Sequence, residues 1–533
     1  MKADEMTDTR REFTFVALVL TALGLILTAC GGKDTVLTVP TGAQAGDLTL
    51  EPCTFKWDDV EYEADCGTLI VPENRAKADS RLIALPVMRV RATGESPTEP
   101  IFWLAGGPGD SNMGFKPPAW LLLKHDIVMV GYRGVDGSSV LDCPEVAQAL
   151  IGVGGDLLSA ESRANMGDAM VRCAERLQAQ GVDLEGYTML EVVEDMEATR
   201  LGLGYERVNL LSSSYGTRLA QIYAWQYPER IHRSVMMGVN PPGHFIWEPE
   251  NIDSQLAYYA RLCAQDAGCS TRTNDLAETM RKVAHDMPRR WLFLPIDPGK
   301  VKMGTFFPGL VNPNSAALVF DAYIAAEQGD PSGLALASLA SDFLPPPITW
   351  GDFIAKAASA GDFDPLRDYA TEMDPPGSIL GSPWSLLFAG SLKGWPTNPI
   401  RAEFRQVQPS DVETLLVSGS IDFSTPAEFA TDELLPYLTN GQQIILAERG
   451  HQVADLFNVQ PEATERLLTS FYDTGVADDS LYTYAPMDFS VSLGFPALAK
   501  IMLGIVLLLI AVAVMVVRFV VRRLRHRLVR TKP

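Results

Sequence analysis

Three consecutive serines, Ser212, Ser213 and Ser214, end an apolar run, Val208-Asn209-Leu210-Leu211, and lead into a helical pattern, Tyr215-Gly216-Thr217-Arg218-Leu219-Ala220-Gln221-Ile222. A hydroxyl on a sharp turn between a buried strand and a helix stands clear of the sheet. The first N–H groups of the helix then face any negative charge that forms beside it. The stretch fits the pattern G-x-S-x-G with Ser214 at the apex and Gly216 behind it, but Ser212 stands where the first glycine is usual. Taken alone, it fits an ordinary polar turn between core elements equally well.

A serine hydroxyl is a poor nucleophile at neutral pH and needs a base within hydrogen-bond reach. The chain has six histidines. His526 lies in a basic C-terminal tail and His285 in an irregular central region. His125 and His232 sit just before strands, at the wrong edge of a sheet. His244 and His451 follow strands, and His451, in Glu448-Arg449-Gly450-His451-Gln452 after the last apolar strand, is best placed to converge on Ser214. The third partner should be a carboxylate that fixes the imidazole tautomer. Asp422 leaves the strand pattern Leu415-Leu416-Val417-Ser418 at its C-terminal end, where helix capping is the competing role. A glycine loop, Gly106-Gly107-Pro108-Gly109, empties from the strand Ile101-Phe102-Trp103-Leu104. An N–H from Gly106 or Gly107 could join that of Tyr215 in an oxyanion hole.

The elements that must position these groups are read from the hydrophobic pattern. Strand-like segments at Thr68–Val71, Leu82–Val90, Pro100–Leu104, Asp126–Val130, Val208–Leu211, Ser234–Val239, Thr414–Ser418 and Gln443–Leu446 are punctuated by helical patterns between Ala147 and Leu201. That alternation predicts an α/β fold with a mostly parallel sheet covered on both faces. The rhythm breaks between Gly243 and Gln406 in a helical, proline-rich insertion, expected to be a cap over the C-terminal ends of the strands. The order Ser214, Asp422, His451 is the chain order of the α/β-hydrolase triad.

Both ends carry membrane signals. Arg10 and Arg11 precede an apolar run, Phe13 to Ala29, that ends in Leu27-Thr28-Ala29-Cys30-Gly31. This resembles a bacterial lipoprotein signal, cut before a lipidated Cys30; an uncleaved signal anchor is the alternative. At the other end, Ile501 to Val517 is uncharged, the length of a bilayer-crossing helix, and a run of arginines follows it. The positive-inside rule puts that tail in the cytoplasm and the body outside it, on a bacterial cell membrane. The formal net charge is −22, and the excess acid lies in the body, which excludes bulk electrostatic binding of nucleic acid. The remaining cysteines, Cys53, Cys66, Cys143, Cys173, Cys263 and Cys269, are even in number, which in an exported body predicts disulfides. Fifteen pairings are possible, and sequence proximity favours 53–66, 143–173 and 263–269. No metal-ligand spacing or cofactor motif is present.

Together, Gly106-Gly107-Pro108-Gly109, Arg133-Gly134 with Gly137-Ser138, Ser214-Tyr215-Gly216, Asp422 in G-x-x-D-x-x-x-P, and Gly450-His451 resemble the proline iminopeptidase and tripeptidyl aminopeptidase group. These are α/β-hydrolases with a helical cap, mostly serine exopeptidases. The resemblance spans roughly Cys53 to Tyr472 and implies an aminopeptidase acting on short peptides or amides near a free N-terminus, with acidic cap residues holding the amine. Glu248, Glu250 and Asp253 are possible counterparts that no motif aligns. The chain departs from the group at Ala105, where histidine is common, at Gly131-Tyr132, where Asp-Gln is common, and at Ser212. An ester hydrolase using the same triad and a non-catalytic surface scaffold are the competing functions. The expected organisation is a signal (1–29), a linker (30–50), a hydrolase core in two parts (51–242 and 407–476) around a cap (243–406), a juxtamembrane linker (477–494), a transmembrane helix (495–521) and a basic cytoplasmic tail (522–533). Membrane lipid and a small peptide, amide or ester are the expected partners; the sequence is silent on oligomeric state.

Overall fold

The computed structural model describes residues 37–530, apart from 58, 152–154, 344–347, 393, 397 and 454–455. The chain divides into two compact units, Met1–Thr38 and Val39–Pro533. Of the first, only Leu37 and Thr38 are described, so the expected signal segment and Cys30 lie outside the described residues.

The sheet follows from short runs of β-branched and aromatic residues. Strands β4 (Ile101–Leu104) and β5 (Ile127–Val130) are buried at every position, as strands covered on both faces must be. With β1 (Leu48–Trp57), β2 (Val60–Pro72), β3 (Leu82–Val90), β6 (Val208–Ser213), β7 (Ile231–Met237), β10 (Glu413–Gly419) and β11 (Gly441–Leu446) they form one sheet, ordered β1-β2-β3-β5-β4-β6-β7-β10-β11. The six strands from β5 to β11 run parallel, while β1, β2 and β3 extend the sheet as an antiparallel edge. Strand β1 has no counterpart among the expected strands: its first three residues fall in the expected linker (30–50) and the rest in the expected core, yet it pairs with β2 along its whole length. A disulfide, Cys53–Cys66, crosses that pair at a Cα separation of 5.7 Å.

Two apolar cores sit on either side of a division the sequence does not mark. One lies around the sheet and includes Phe102, Leu210, Leu219 and Leu416. Helices α3 (Met189–Leu203) and α4 (Tyr215–Gln226) pack into it. The other belongs to the cap, built from α5 (Pro249–Gln265), α6 (Leu276–His285), α7 (Pro298–Gly304), α8 (Pro313–Glu327), α9 (Ser332–Phe343), α10 (Trp350–Ala360) and α11 (Pro383–Ser391), with a two-stranded hairpin, β8 (Arg290–Trp291) and β9 (Leu294–Pro295). The segment that carries α1 (Pro144–Leu150) and α2 (Ala160–Ala179) falls within the expected hydrolase core, 51–242, yet its Val146, Met166, Met170 and Cys173 are buried in the cap's core. An apolar helical stripe shows that a helix is buried, not which neighbour buries it. The disulfide Cys143–Cys173 joins these two helices, and Cys263–Cys269 closes the end of α5.

After β11, helix α12 (Pro461–Thr474) returns to the sheet. The chain then reaches α13 (Phe495–Arg530). Its segment Phe495–Arg522 has a window of mean hydropathy 3.0 and is long and apolar enough to cross a membrane.

One fully buried cation joins the loop after β5 to its surroundings. Arg133 donates to both carboxylate oxygens of Asp195, at 2.7 and 2.8 Å, and to the carbonyls of Glu73 (2.7 Å) and Gly186 (2.6 Å). Burial pushes the Asp195 carboxyl up, but Arg133 and Arg75 outweigh it and hold it below the usual carboxylate range. A depressed carboxyl contributes stability that is complete above its unfolded value and is lost as pH falls through its folded value. Asp195→Asn leaves Glu191, 3.2 Å from Arg133, as the carboxylate shared by the buried Arg133 and by Arg75, and should cost about 3 kcal/mol. Urea denaturation against pH should show the variant less stable at neutral pH and with a shallower loss of stability below about pH 4.

Candidate active site

Helix α4 begins so abruptly after β6 that Ser214 adopts φ 50° and ψ −122°, a conformation rarely held by a residue with a side chain. Neighbouring groups hold it there. The Ser214 N–H donates to the Met237 carbonyl at 2.8 Å, and its carbonyl accepts from the Thr217 N–H (2.9 Å) and the Thr217 hydroxyl (2.6 Å). Gly216 makes the approach possible, because a Cβ at that position would lie 2.1 Å from the Leu104 carbonyl oxygen. Ser212, which replaces the usual first glycine, is fully buried, and its hydroxyl donates to the Val235 carbonyl on β7 at 3.0 Å. The extra polar group is therefore satisfied within the sheet.

The two partners arrive from the ends of β10 and β11. His451 Nε2 lies 3.0 Å from Ser214 Oγ. Its Nδ1 lies 3.0 and 3.1 Å from the two oxygens of Asp422, which is wholly buried. Asp422 also accepts from the N–H groups of Ser424 (2.8 Å) and Thr425 (2.9 Å) and from the Thr425 hydroxyl (2.7 Å). Asp422 thus orients an imidazole and, as an N-terminal cap would, satisfies a turn; the sequence presented these roles as alternatives, whereas the fold uses both. The Thr425 hydroxyl also lies 3.2 Å from His451 Nδ1, a contact without a motif signal.

The glycine loop stands across from the turn. A Cβ on Gly106 would sit 3.2 Å from the Ser214 Cβ, whereas one on Gly107 would meet Asp110. Gly106 is thus the loop residue that flanks Ser214. The loop is held by polar groups that carried no motif signal. Asn112, fully buried, accepts from the Ala105 N–H (2.8 Å) and donates to the carbonyls of Trp103 (3.0 Å) and Val130 (2.9 Å). Tyr132, in the position where glutamine is common, donates to the Ala105 carbonyl at 3.1 Å. On the far side, Thr349 of the cap donates its N–H to the Gly109 carbonyl at 2.9 Å. Asp352 and Lys356, both on α10 and both buried, pair at 2.6 Å. Burial raises the Asp352 carboxyl and lowers the Lys356 ammonium. Aromatic rings from the cap pack against the site: Phe307 lies 6.3 Å from the His451 ring, and Phe245 lies 6.4 Å from Tyr215.

The remaining candidates lie elsewhere or are occupied. His244 contacts Glu433 at 2.7 and 2.8 Å and stacks on Phe429, while His125 contacts the Glu99 carbonyl. Glu248 is held by Arg367 at 2.5 and 2.6 Å, and Asp253 accepts from the Ile379 N–H. Both carboxylates brace the cap.

Residues 99–304 match the family described as "alpha/beta hydrolase fold", and residues 382–479 match that described as "TAP-like protein". The chain is 26% identical over 295 residues to a tripeptidyl aminopeptidase of Streptomyces lividans, covering 53% of each chain. It is 28% identical over 278 residues to the serine protease Hip1 of Mycobacterium tuberculosis, covering 47% of this chain and 52% of that one. It spans about half the length of these relatives.

The turn itself can be tested. Ser212→Gly should leave hydrolytic activity within a few-fold of wild type, since the hydroxyl serves only its own burial. Gly216→Ala should abolish activity or folding, because its methyl group meets backbone that cannot yield; expression, thermal melting and turnover of both variants distinguish the two. Sheet order, turn geometry and the match of residues 99–304 agree that the chain has the α/β-hydrolase fold, and its residues 382–479 resemble the TAP-like family.

Proposed function

We propose that the protein is an exported, membrane-anchored serine hydrolase, an aminopeptidase that cleaves short peptides or amides near a free N-terminus through an acyl-enzyme. The observation that carries this reading is the continuous contact Ser214–His451–Asp422, with 3.0 Å at both junctions. Ser214 Oγ attacks the carbonyl carbon as His451 Nε2 takes its proton. Asp422 keeps the other ring proton on Nδ1 and stabilises the imidazolium. The N–H groups of Tyr215 and Gly106 receive the oxyanion, and His451 returns its proton to the departing amine. Water, activated by the same imidazole, then releases the acyl group. The relatives named tripeptidyl aminopeptidase and serine protease support a peptide bond as the target.

The compartment follows from the two ends. Helix α13 crosses the bacterial cell membrane, the basic tail lies in the cytoplasm and the catalytic body lies outside, with Cys30 as a candidate lipid attachment point.

A fluorophosphonate probe should label wild-type protein at Ser214 and leave Ser214→Ala unlabelled; absence of labelling on the wild type overturns the catalytic assignment. Asp422→Asn should reduce turnover by a factor on the order of 10^4, through loss of the correct tautomer. Peptidyl and aminoacyl amides with free N-termini should be turned over and their N-acetylated forms poorly. Turnover confined to simple carboxylic esters would assign an esterase with the same triad.

A further inference from the structure

The juxtamembrane segment, expected to be a linker, is built into the cap. Beyond α12, the Met487 N–H donates to Glu448 at 2.6 Å, and the Tyr484 hydroxyl bonds the same carboxylate. Glu448 lies three residues before His451, on the loop that delivers the imidazole. The same loop touches the cap, since the Gln452 N–H donates to the Val311 carbonyl at 3.2 Å. Met487 and Phe489 are then buried in the cap's core, where Phe489 stacks with Phe320 of α8. Gly494 passes so close to α8 that a Cβ there would lie 1.9 Å from Asp321.

The root of α13 docks next. The Ser332 hydroxyl donates to the Pro496 carbonyl at 3.3 Å, and a Cβ on Gly333 would lie 2.9 Å from the Pro496 ring. Lys500 pairs with Asp330 at 2.6 Å. Immediately afterwards the helix becomes exposed: Ile501 is half exposed, and large apolar side chains remain exposed as far as Val521. The last docked contact, Lys500, directly precedes Ile501, so the exposed apolar stretch starts about 1.5 Å along the helix axis from it.

We propose that the cap, and not the sheet, is the part of the body seated on the lipid bilayer, with the connection between α8 and α9 at the headgroup surface. The strap from Tyr484 to Pro496 makes membrane attachment, cap position and the His451 loop one mechanical unit. Bulk attraction to anionic headgroups plays no part in this seating, because the body is acidic; the docked helix root provides it. This rests on the reading of α13 as a bilayer span.

The full chain, reconstituted in phosphatidylcholine nanodiscs containing a lipid with a headgroup diazirine, tests the proposal by photolabelling and peptide mapping. Labelling is expected around residues 327–331 and 495–503. It should be at least tenfold lower around 438–441, at the N-terminal end of β11, the end of that strand away from the His451 loop and the cap. A chain that fails to enter nanodiscs refutes the span, and the seating with it. A chain that enters but is labelled at 438–441, or equally at both sites, overturns the seating alone. Gly333→Leu combined with Lys500→Ala should lower labelling at 327–331 several-fold without releasing the protein from the nanodisc; unchanged labelling also overturns the proposal. Glu448→Ala, which cuts the strap from the His451 loop, should slow fluorophosphonate labelling of Ser214 at least fivefold with membrane partition intact. An unchanged rate removes the link to the site.

Discussion

The backbone of Ser214 is held in a conformation that costs of order 1–3 kcal/mol for a residue with a side chain, and the surrounding fold is what keeps it there. The strain raises the hydroxyl above the sheet and points the start of α4 at the space beside it. It persists because β4, β6 and β7 are all committed by buried apolar side chains, leaving the turn between them no room to relax. The close pass of Gly216 beside the Leu104 carbonyl joins the turn to the strand that feeds the glycine loop. The start of α4 and the strand leading to the glycine loop are thus in direct contact.

The polar groups around the site form a second layer of constraint. Asn112 and Tyr132 fix the peptide of Ala105, and Thr349 reaches the glycine loop from the cap. Thr425 braces the carboxylate that orients His451. Buried hydrogen bonds of this kind are costly to break, because the surviving partner is left desolvated. The cap is therefore not simply laid over a finished site: one of its loops holds the glycine turn, and another holds the loop that carries the histidine.

The cap has its own apolar core, which draws on four separated stretches of chain: the helices around Cys143–Cys173, the insertion between β7 and β10, the turn after β10 with Ile421 and Phe423, and the strap before α13. Shifting any one stretch of such an assembly would expose apolar surface at roughly 25 cal/mol per Å². The assembly also explains why acidic cap residues that looked available for a ligand are occupied. Glu248 and Asp253 spend their carboxylates joining cap segments to each other.

Much of the arrangement could be read from residue types in order. Apolar runs of four to six residues ending in small residues mark strands whose C-terminal ends meet, which made Ser214, Asp422 and His451 legible as a set before their distances were known. The apolar C-terminal helix was legible because a bilayer imposes a length and a composition on a single stretch of chain. Strand β1 was not, since an edge strand with one wet face has little apolar signal. The membership of α1 and α2 in the cap was not, because amphipathicity does not name the partner. Neither Ser212's hydrogen bond to Val235 nor the docking of Pro496 on Gly333 has any local signature. By itself the sequence determined which groups could do the chemistry and where along the chain they sit, because those depend on side-chain type and local periodicity. Tertiary structure alone decided which neighbour each buries, braces or blocks, because contacts between distant segments depend on shape in three dimensions.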